Sequence, residues 1–351
     1  MTDIAASAPH RPARRIPARE LLSAAQLAEV RERVPWRGIG MIAHAWAVIL
    51  GAIALVAIWP NPLTVLLAIA LIGSRQLGLA ILMHDGAHGA FVKDERWNLA
   101  LSQWLCAYPI FAETRAYRRY HLQHHAHTQT EDDPDLVLSA PFPVTPASYR
   151  RKLLRDITGQ TGFQQRKAQV LNALGPTSMP VAERLRRFAS HLGPQIAVNA
   201  VLFAGMTAAG IWWAYPVLWL LPLLTWFQVV VRVRNIAEHA VVGDSNDPLR
   251  NTRTTIASPL ERAFLAPYYV NYHLEHHLFF YVPAYNLPKV HRWLMAGPHR
   301  ERLEVEKGYV RVMRKATALD STLDKPGELV SSVRRRQAGA TVDRDQAAAG
   351  F

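Results

Sequence analysis

Long apolar stretches separated by short polar turns dominate the pattern of the chain. A helix needs about 20 apolar residues to cross the hydrocarbon core of a membrane. On this basis we predict spans at 41–59, 63–83, 195–214 and 216–231, the last with a few flanking residues. Only a few residues, proline among them, separate the first span from the second and the third from the fourth. Connections this short are tight turns, so the four spans are predicted to form two hairpins.

A fifth apolar stretch, 97–112, is shorter than a normal span and contains the polar residues Asn98 and Gln103. We interpret it as an interfacial or re-entrant helix that packs against the spans. As a true span it would place the basic loop 113–194 on the opposite side of the membrane from the other basic regions.

Basic residues indicate how the spans are oriented. The chain has 40 Lys and Arg residues and a net charge of +13, although half of its residues are hydrophobic. Neither hairpin turn contains Lys or Arg, whereas the N-terminal region, the central loop and the C-terminal region contain nearly all of them. By the positive-inside rule these three regions, and with them both termini, face the cytoplasm. We expect a protein of the bacterial inner membrane.

These patterns divide the chain into three regions. A basic cytoplasmic arm at 1–40 has no apolar core after its charges, so it is not expected to be a cleavable signal peptide. The membrane domain covers 41–319. The tail at 320–351 lacks apolar periodicity and is rich in small and charged residues, which predicts disorder. A single cysteine, Cys106, excludes both a disulfide framework and a cysteine-based zinc site.

Four polar clusters follow the predicted spans on the side assigned to the cytoplasm. The segments HDGAH and NIAEH each place two polar side chains four residues apart, which is one face of a helix. HLQHH and HLEHH each place three histidines at positions i, i+3 and i+4. Together they offer ten candidate ligands: His84, His88, His121, His124, His125, Asn235, His239, His273, His276 and His277.

Nine histidines on one face of the membrane predict a shared metal site. Protonated imidazoles packed this densely would repel each other, whereas neutral ones can share cations. Zinc usually takes three or four protein ligands, so this set exceeds one zinc site and suits two metals of higher coordination. Imidazole binds zinc, copper, iron and nickel. Carboxylates inside or beside the clusters are expected to orient the histidines from behind; they are Asp85, Asp135, Glu238 and Glu275. Asp132 and Asp133 could serve in the same way as Asp135, or these three aspartates could instead cap a helix at Pro134.

The order and spacing of these clusters resemble those of the membrane fatty acid desaturase family, over approximately residues 40 to 300. HHAHTQTEDDPD after the second cluster and NYHLEHHLFFYVPAYNLPKVH around the last one are similar to the family beyond the histidines. Asn235 and His239 resemble a pair in the stearoyl-CoA desaturase branch, where the histidine binds iron and the asparagine acts through water.

The resemblance implies two non-haem iron ions that use O2 and two electrons to oxidise an unactivated C–H bond. The expected reaction introduces a C=C double bond into an acyl chain or lipid-like substrate. Electrons are expected from a separate ferredoxin or cytochrome, because the His-Pro-Gly-Gly motif of fused haem domains is absent. Membrane lipids are expected partners and nucleic acid is not. The expected fold is all-α, with four transmembrane helices in two hairpins and a cytoplasmic helical cap that carries the histidines.

Two other functions are compatible with the histidine pattern. A hydroxylase or ketolase acting on a lipid or carotenoid shares the spacing, although the Asn235–His239 pair favours a desaturase. A metal transporter would place its ligands near the middle of the bilayer, whereas these clusters lie at the cytoplasmic ends of the spans. The substrate stays open between acyl-CoA, acyl-carrier protein, glycerolipid, sphingolipid and a small amphipathic molecule such as an amino-acid enol ether.

Three residues outside the ligand set have predicted roles. A buried arginine in a membrane span is costly, so Arg75 is expected either to pair with a carboxylate or to contact a polar group of the substrate. His127 lies two residues past His125 on the other side of the helix and is expected to have a structural role or to support the ligands rather than bind metal itself. His291 lacks a partner at ligand spacing and is interpreted as structural.

Overall fold

The computed structural model describes residues 15–318, so the predicted tail and residues 1–14 of the predicted arm lie outside the described part of the chain. Helices make up most of it. They are α1 (Ala18–Leu21), α2 (Ala24–Val30), α3 (Pro35–Ile58), α4 (Pro62–Ala87), α5 (Glu95–Ala100), α6 (Thr114–His127), α7 (Leu136–Ser139), α8 (Pro146–Ile157), α9 (Gln160–Leu174), α10 (Val181–Ala208), α11 (Leu221–Leu224), α12 (Trp226–His239), α13 (Pro259–Phe264), α14 (His273–Leu278), α15 (Leu287–Ala296) and α16 (Tyr309–Ala316).

Three helical segments among the described residues are long and apolar enough to cross a membrane. They are α3, α4 and the segment Tyr215–His239, which includes α11 and α12. These segments contain most of the predicted spans 41–59, 63–83 and 216–231. The remaining prediction, 195–214, falls mostly within α10, which is not one of the three. The four-span arrangement therefore stays a prediction.

The turn between α3 and α4 is set by local sequence. The Asn61 side chain accepts hydrogen bonds from the backbone N–H groups of Leu63 and Thr64, which caps α4, and Pro62 fixes its first turn. α3 then packs along α4. Residues 72–83 of α4 are all buried, so this helix is enclosed by its neighbours rather than exposed along one stripe.

The predicted interfacial segment 97–112 is a broken helix. It comprises α5, a π-helical segment Leu101–Ala107 and a short 3-10 turn, and it packs against α4. The Ser102 hydroxyl lies 2.8 Å from the hydroxyl of Thr114 at the start of α6. The segment thereby links the core helix α4 to the helix that carries the second histidine cluster.

The fold also contains two short strands that an all-α expectation lacks. β1 (Thr254–Ile256) and β2 (Val305–Lys307) form a parallel pair with Thr254 opposite Val305. The buried guanidinium of Arg253 precedes β1 and donates to the carbonyl of Ala240 at 2.9 Å, at the end of α12. It also forms an ion pair with Glu304 beside β2. These contacts hold the C-terminal region over the end of α12.

Candidate metal centre

The nine predicted histidines lie together in two adjoining groups. Within each group the ring nitrogens lie within 4.8 Å of one another. The first group contains His84, His88, His121, His125 and His276, and the second contains His124, His239, His273 and His277. His127, which follows the second cluster in sequence, belongs to neither group.

The helical repeat explains how the histidines divide between the groups. His121 and His125, four residues apart on α6, point into the first group, whereas His124 between them points into the second. On α14 the equivalent pair, His273 and His277, belongs to the second group and His276 to the first. Positions i and i+4 share a face of a helix and position i+3 lies to its side. Each triplet therefore contributes to both groups.

The ring nitrogens converge in a way that favours bound cations. His276 Nε2 lies 2.9 Å from both His84 Nε2 and His125 Nε2. A ring nitrogen carries either a hydrogen or a lone pair, so it cannot both donate to one neighbour and accept from the other. Two nitrogens bound at right angles to one metal at about 2.1 Å would lie roughly 3.0 Å apart. The observed spacing therefore fits shared metal ligation.

The second group has the same arrangement. His273 Nε2 lies 2.8 Å from His239 Nε2 and 3.0 Å from His277 Nε2. His239 Nδ1 is buried without a hydrogen-bond partner among the described residues, so this ring is not held by protein hydrogen bonds alone. An imidazole-only donor set of five and four nitrogens suits two transition metals.

Burial keeps most of these histidines neutral. Desolvation, followed by the charges of neighbouring rings, places the pKa values of His121, His125 and His276 well below 6.5. The neutral form is the one that binds a metal. Neutral rings of this kind could bind a metal without first losing a proton.

Asp133 is the carboxylate in closest contact with a histidine of the two groups. Its Oδ1 accepts a hydrogen bond from His124 Nδ1 at 2.7 Å, which leaves Nε2 of that ring facing the second group. Burial lowers the pKa of His124, but Asp133 more than offsets this and raises it to about 9. Asp135, which is also predicted to orient a histidine, lies farther away, with Oδ2 3.7 Å from the same Nδ1, and accepts a hydrogen bond from the Tyr120 hydroxyl.

Two other predicted carboxylates lie behind ligand histidines at longer range. Glu238 Oε1 is 3.6 Å from His273 Nδ1, and the Glu238 carboxylate is paired with Arg234. Asp85 Oδ1 is 3.6 Å from the Nδ1 of its neighbour His84. These separations exceed a hydrogen bond, so neither carboxylate is hydrogen-bonded to the ring in front of it.

Glu275 contacts a different histidine from those of its cluster. It accepts a hydrogen bond from His291 Nδ1 at 2.7 Å and another from the Thr254 hydroxyl. It thus links α14 to α15 and to β1. The sequence indicates only that His291 is structural and has no partner at ligand spacing, because its sixteen-residue separation from Glu275 gives no local signal of this contact.

An inner cavity of about 60 Å³ lies beside both groups. Asn235, the predicted water-mediated ligand, lines it together with His84 and His273. The opposite walls are formed by apolar side chains that include Ile81 and Val231. A hydrocarbon segment in this cavity would lie next to the histidines of both groups.

Comparison with known proteins agrees with the family resemblance seen in the sequence. The family model described as fatty acid desaturase matches residues 57–308. The chain is 32% identical over 262 residues to a dihydrorhizobitoxine desaturase of Bradyrhizobium elkanii, which covers 72% of this chain and 70% of the relative. It is 26% identical over 244 residues to a β-carotene ketolase of Paracoccus sp. (strain PC1), which covers 66% of this chain and 81% of that protein.

Proposed function

Because the chain belongs to the fatty acid desaturase family, we propose that it is an O2-dependent membrane desaturase that introduces a C=C bond into an acyl chain or lipid-like substrate. The observation that carries this proposal is the convergence of nine ring nitrogens in two groups beside the inner cavity. Two bound iron ions would supply the oxidising power for a C–H bond when O2 and electrons are provided.

The residues of the chain have separate tasks in this proposal. The first group would hold one iron, and the second group would hold the other, with Asn235 acting through a water molecule. Asp133 fixes the orientation of His124. The apolar side of the inner cavity, which includes Ile81 and Val231, would hold the reacting segment of the substrate and exclude water.

The proposal includes an arrangement in the bacterial inner membrane. α10 would add a fourth span to the three apolar segments, with the histidine-bearing elements as a cap on the cytoplasmic side. The basic residues outside the spans support this orientation.

An external ferredoxin or cytochrome would supply the electrons. A pocket lined by Arg15, Phe280, His125 and His277 leads from the surface to both metal groups and supports an approach from this side. The basic charge of the chain would attract an acidic carrier.

A ketolase or hydroxylase reaction is the second candidate, favoured by the similarity to the β-carotene ketolase. Mass spectrometry of lipids and small metabolites distinguishes the two, in a host that expresses either the intact chain or the His276→Ala variant. A product lighter by two hydrogens, found only with the intact chain, supports desaturation. A product that has gained oxygen, with or without loss of hydrogens, contradicts it and supports the second candidate.

A further inference from the structure

A second opening lies next to the inner cavity, on the side of α3 and α4. This outer groove has a volume of about 850 Å³. Its polar lining includes Arg37, His44, Arg75, Arg262, Tyr268 and Tyr269, and the rest of the lining consists of Trp36, Tyr285 and smaller residues. Tyr268 and Tyr269 also line the inner cavity. The two tyrosines are therefore the boundary between the outer groove and the space beside the histidines.

The outer groove is positively charged. Three arginines and a histidine line it, and no acidic residue does so among residues 15–318. Within the same part of the chain, no carboxylate lies within ion-pair distance of Arg37, Arg75 or Arg262. Of the two roles expected for Arg75, pairing with a carboxylate is therefore not observed.

Arg75 is the unusual member of this set because it lies within a candidate membrane span and only 6% of it is exposed. Its Nη2 donates to the backbone carbonyl of Ala263, and its guanidinium carbon lies 5.5 Å from the centre of the Tyr268 ring. Its Nε is buried and has no hydrogen-bond partner among the described residues. A buried, incompletely paired guanidinium is costly in a membrane, and this cost is offset when an anionic ligand binds it.

We propose that the outer groove is the access route of the substrate and that Arg75 binds an anionic group, a carboxylate or a phosphate, at one end of the substrate chain. The rest of the chain passes Tyr268 into the inner cavity. This inference rests on the proposed desaturase function, and it specifies the class of substrate as an anionic amphiphile.

The spacing along α4 sets the length of such a substrate. Arg75 and His84 are nine residues, or two and a half turns, apart on one helix, so they lie on opposite sides of α4 and roughly 13 Å apart along its axis. A substrate that reaches both must also curve around the helix past Tyr268, so this distance is a minimum. An extended hydrocarbon chain covers that distance in roughly ten bonds. Gly78 lies between them, and a Cβ atom there would be 2.6 Å from Tyr268 Cε2, so this ring packs directly on the helix along the route. A compact polar molecule cannot reach Arg75 and the histidines together.

Binding of matched probes tests the proposal without turnover. The full chain, loaded with metal in nanodiscs of zwitterionic lipid, is titrated with dodecanoate, with its neutral methyl ester and with dodecyl phosphate, and empty nanodiscs give the background. We expect at least one anion to bind about ten-fold more tightly than the ester, as one charge-assisted hydrogen bond provides. Tighter binding of dodecanoate assigns a carboxylate substrate, and tighter binding of dodecyl phosphate assigns a phosphate head group.

Variants separate anion binding from a structural role of Arg75. Arg75→Gln should abolish the preference for the anion and leave binding of the ester unchanged. Arg75→Lys should retain part of the preference for the anion. Ser74→Ala is the matched control, since the Ser74 hydroxyl donates to the Phe264 carbonyl at 2.8 Å and tethers the same two helices. The preference should survive in Ser74→Ala. Any of three results would overturn the proposal. They are an equal loss of the preference in Arg75→Gln and Ser74→Ala, a preference that persists in Arg75→Gln, and no preference in the intact chain.

The two proposals fail in different ways. If the chain binds the anion but forms no unsaturated product, the proposed desaturase function fails and the proposed anion site stands. If the chain forms the product but shows no preference for the anion, the proposed function stands and the proposed role of Arg75 fails.

Discussion

Replacing Asp133 with asparagine tests whether the second histidine group depends on the carboxylate behind it. Asp133 is buried, and it accepts hydrogen bonds from His124 Nδ1 at 2.7 Å and from the backbone N–H groups of Gln129 and Asp135, each at 2.8 Å. Asparagine has nearly the same shape but no charge. Because the amide has one acceptor oxygen where the carboxylate has two, it cannot accept all three hydrogen bonds. We expect the His124 ring to lose its charged partner and with it part of its fixed orientation.

The magnitude follows from the role of this contact. Loss of a carboxylate that orients a metal-bound histidine reduces metal affinity by about 10–100-fold, or about 1.4–2.7 kcal/mol. Only the second group contains His124. We therefore expect the variant to lose one metal selectively, so that metal content falls from two ions toward one per chain after dialysis against a weak chelator.

Elemental analysis of the purified protein in detergent measures this content. Asp132→Asn is the matched control, because Asp132 is the exposed neighbour in the same loop and should retain both ions. Retention of both metals in Asp133→Asn, or equal loss from both groups, would refute the reasoning about orientation.

Three further predictions concern stability. Removal of metal by a strong chelator should lower the Tm, because the ring nitrogens of each group are left facing one another, and addition of ferrous iron should restore the Tm. An unchanged Tm in differential scanning calorimetry would argue against bound metal. Gly86→Ala should destabilise the protein by about 1–3 kcal/mol, because the new Cβ would lie 2.4 Å from the Ser102 side chain; Gly51→Ala, with open space around it, is the control in the same thermal scan. Glu275→Gln and His291→Gln should each lower the Tm, and the double variant should lower it by less than their sum, because the two residues share one hydrogen bond; additive losses would show that they are not coupled.

Local periodicity predicts which histidines cluster, but not how their side chains divide between the two groups. The i, i+3, i+4 spacing of His121, His124 and His125 places the rings on neighbouring faces of one helix. It does not show that α6 lies between two groups, because that depends on how α4, α12 and α14 pack around it. Asp133 and Asp135 are equivalent in sequence, and only the turn at Gln129, which has a positive φ of 63°, directs Asp133 toward His124.

Long-range contacts were not predictable from the sequence. β1 and β2 are three residues each and pair across about fifty residues, so neither has a recognisable pattern of its own. The contact of Glu275 with His291 likewise depends on how separate segments of the chain pack together. Apolar length alone selected 195–214, while the helix there begins at Val181 and contains Pro194.

Both histidine groups include residues of α14, and this has a consequence for biosynthesis. The ribosome must pass His276 before the first group can be complete, and it must pass His277 before the second can be. By that stage α3, α4 and the segment Tyr215–His239 have already been synthesised. In the proposed desaturase, the three apolar segments are therefore available for membrane insertion before the chain has the complete ligand set of either metal.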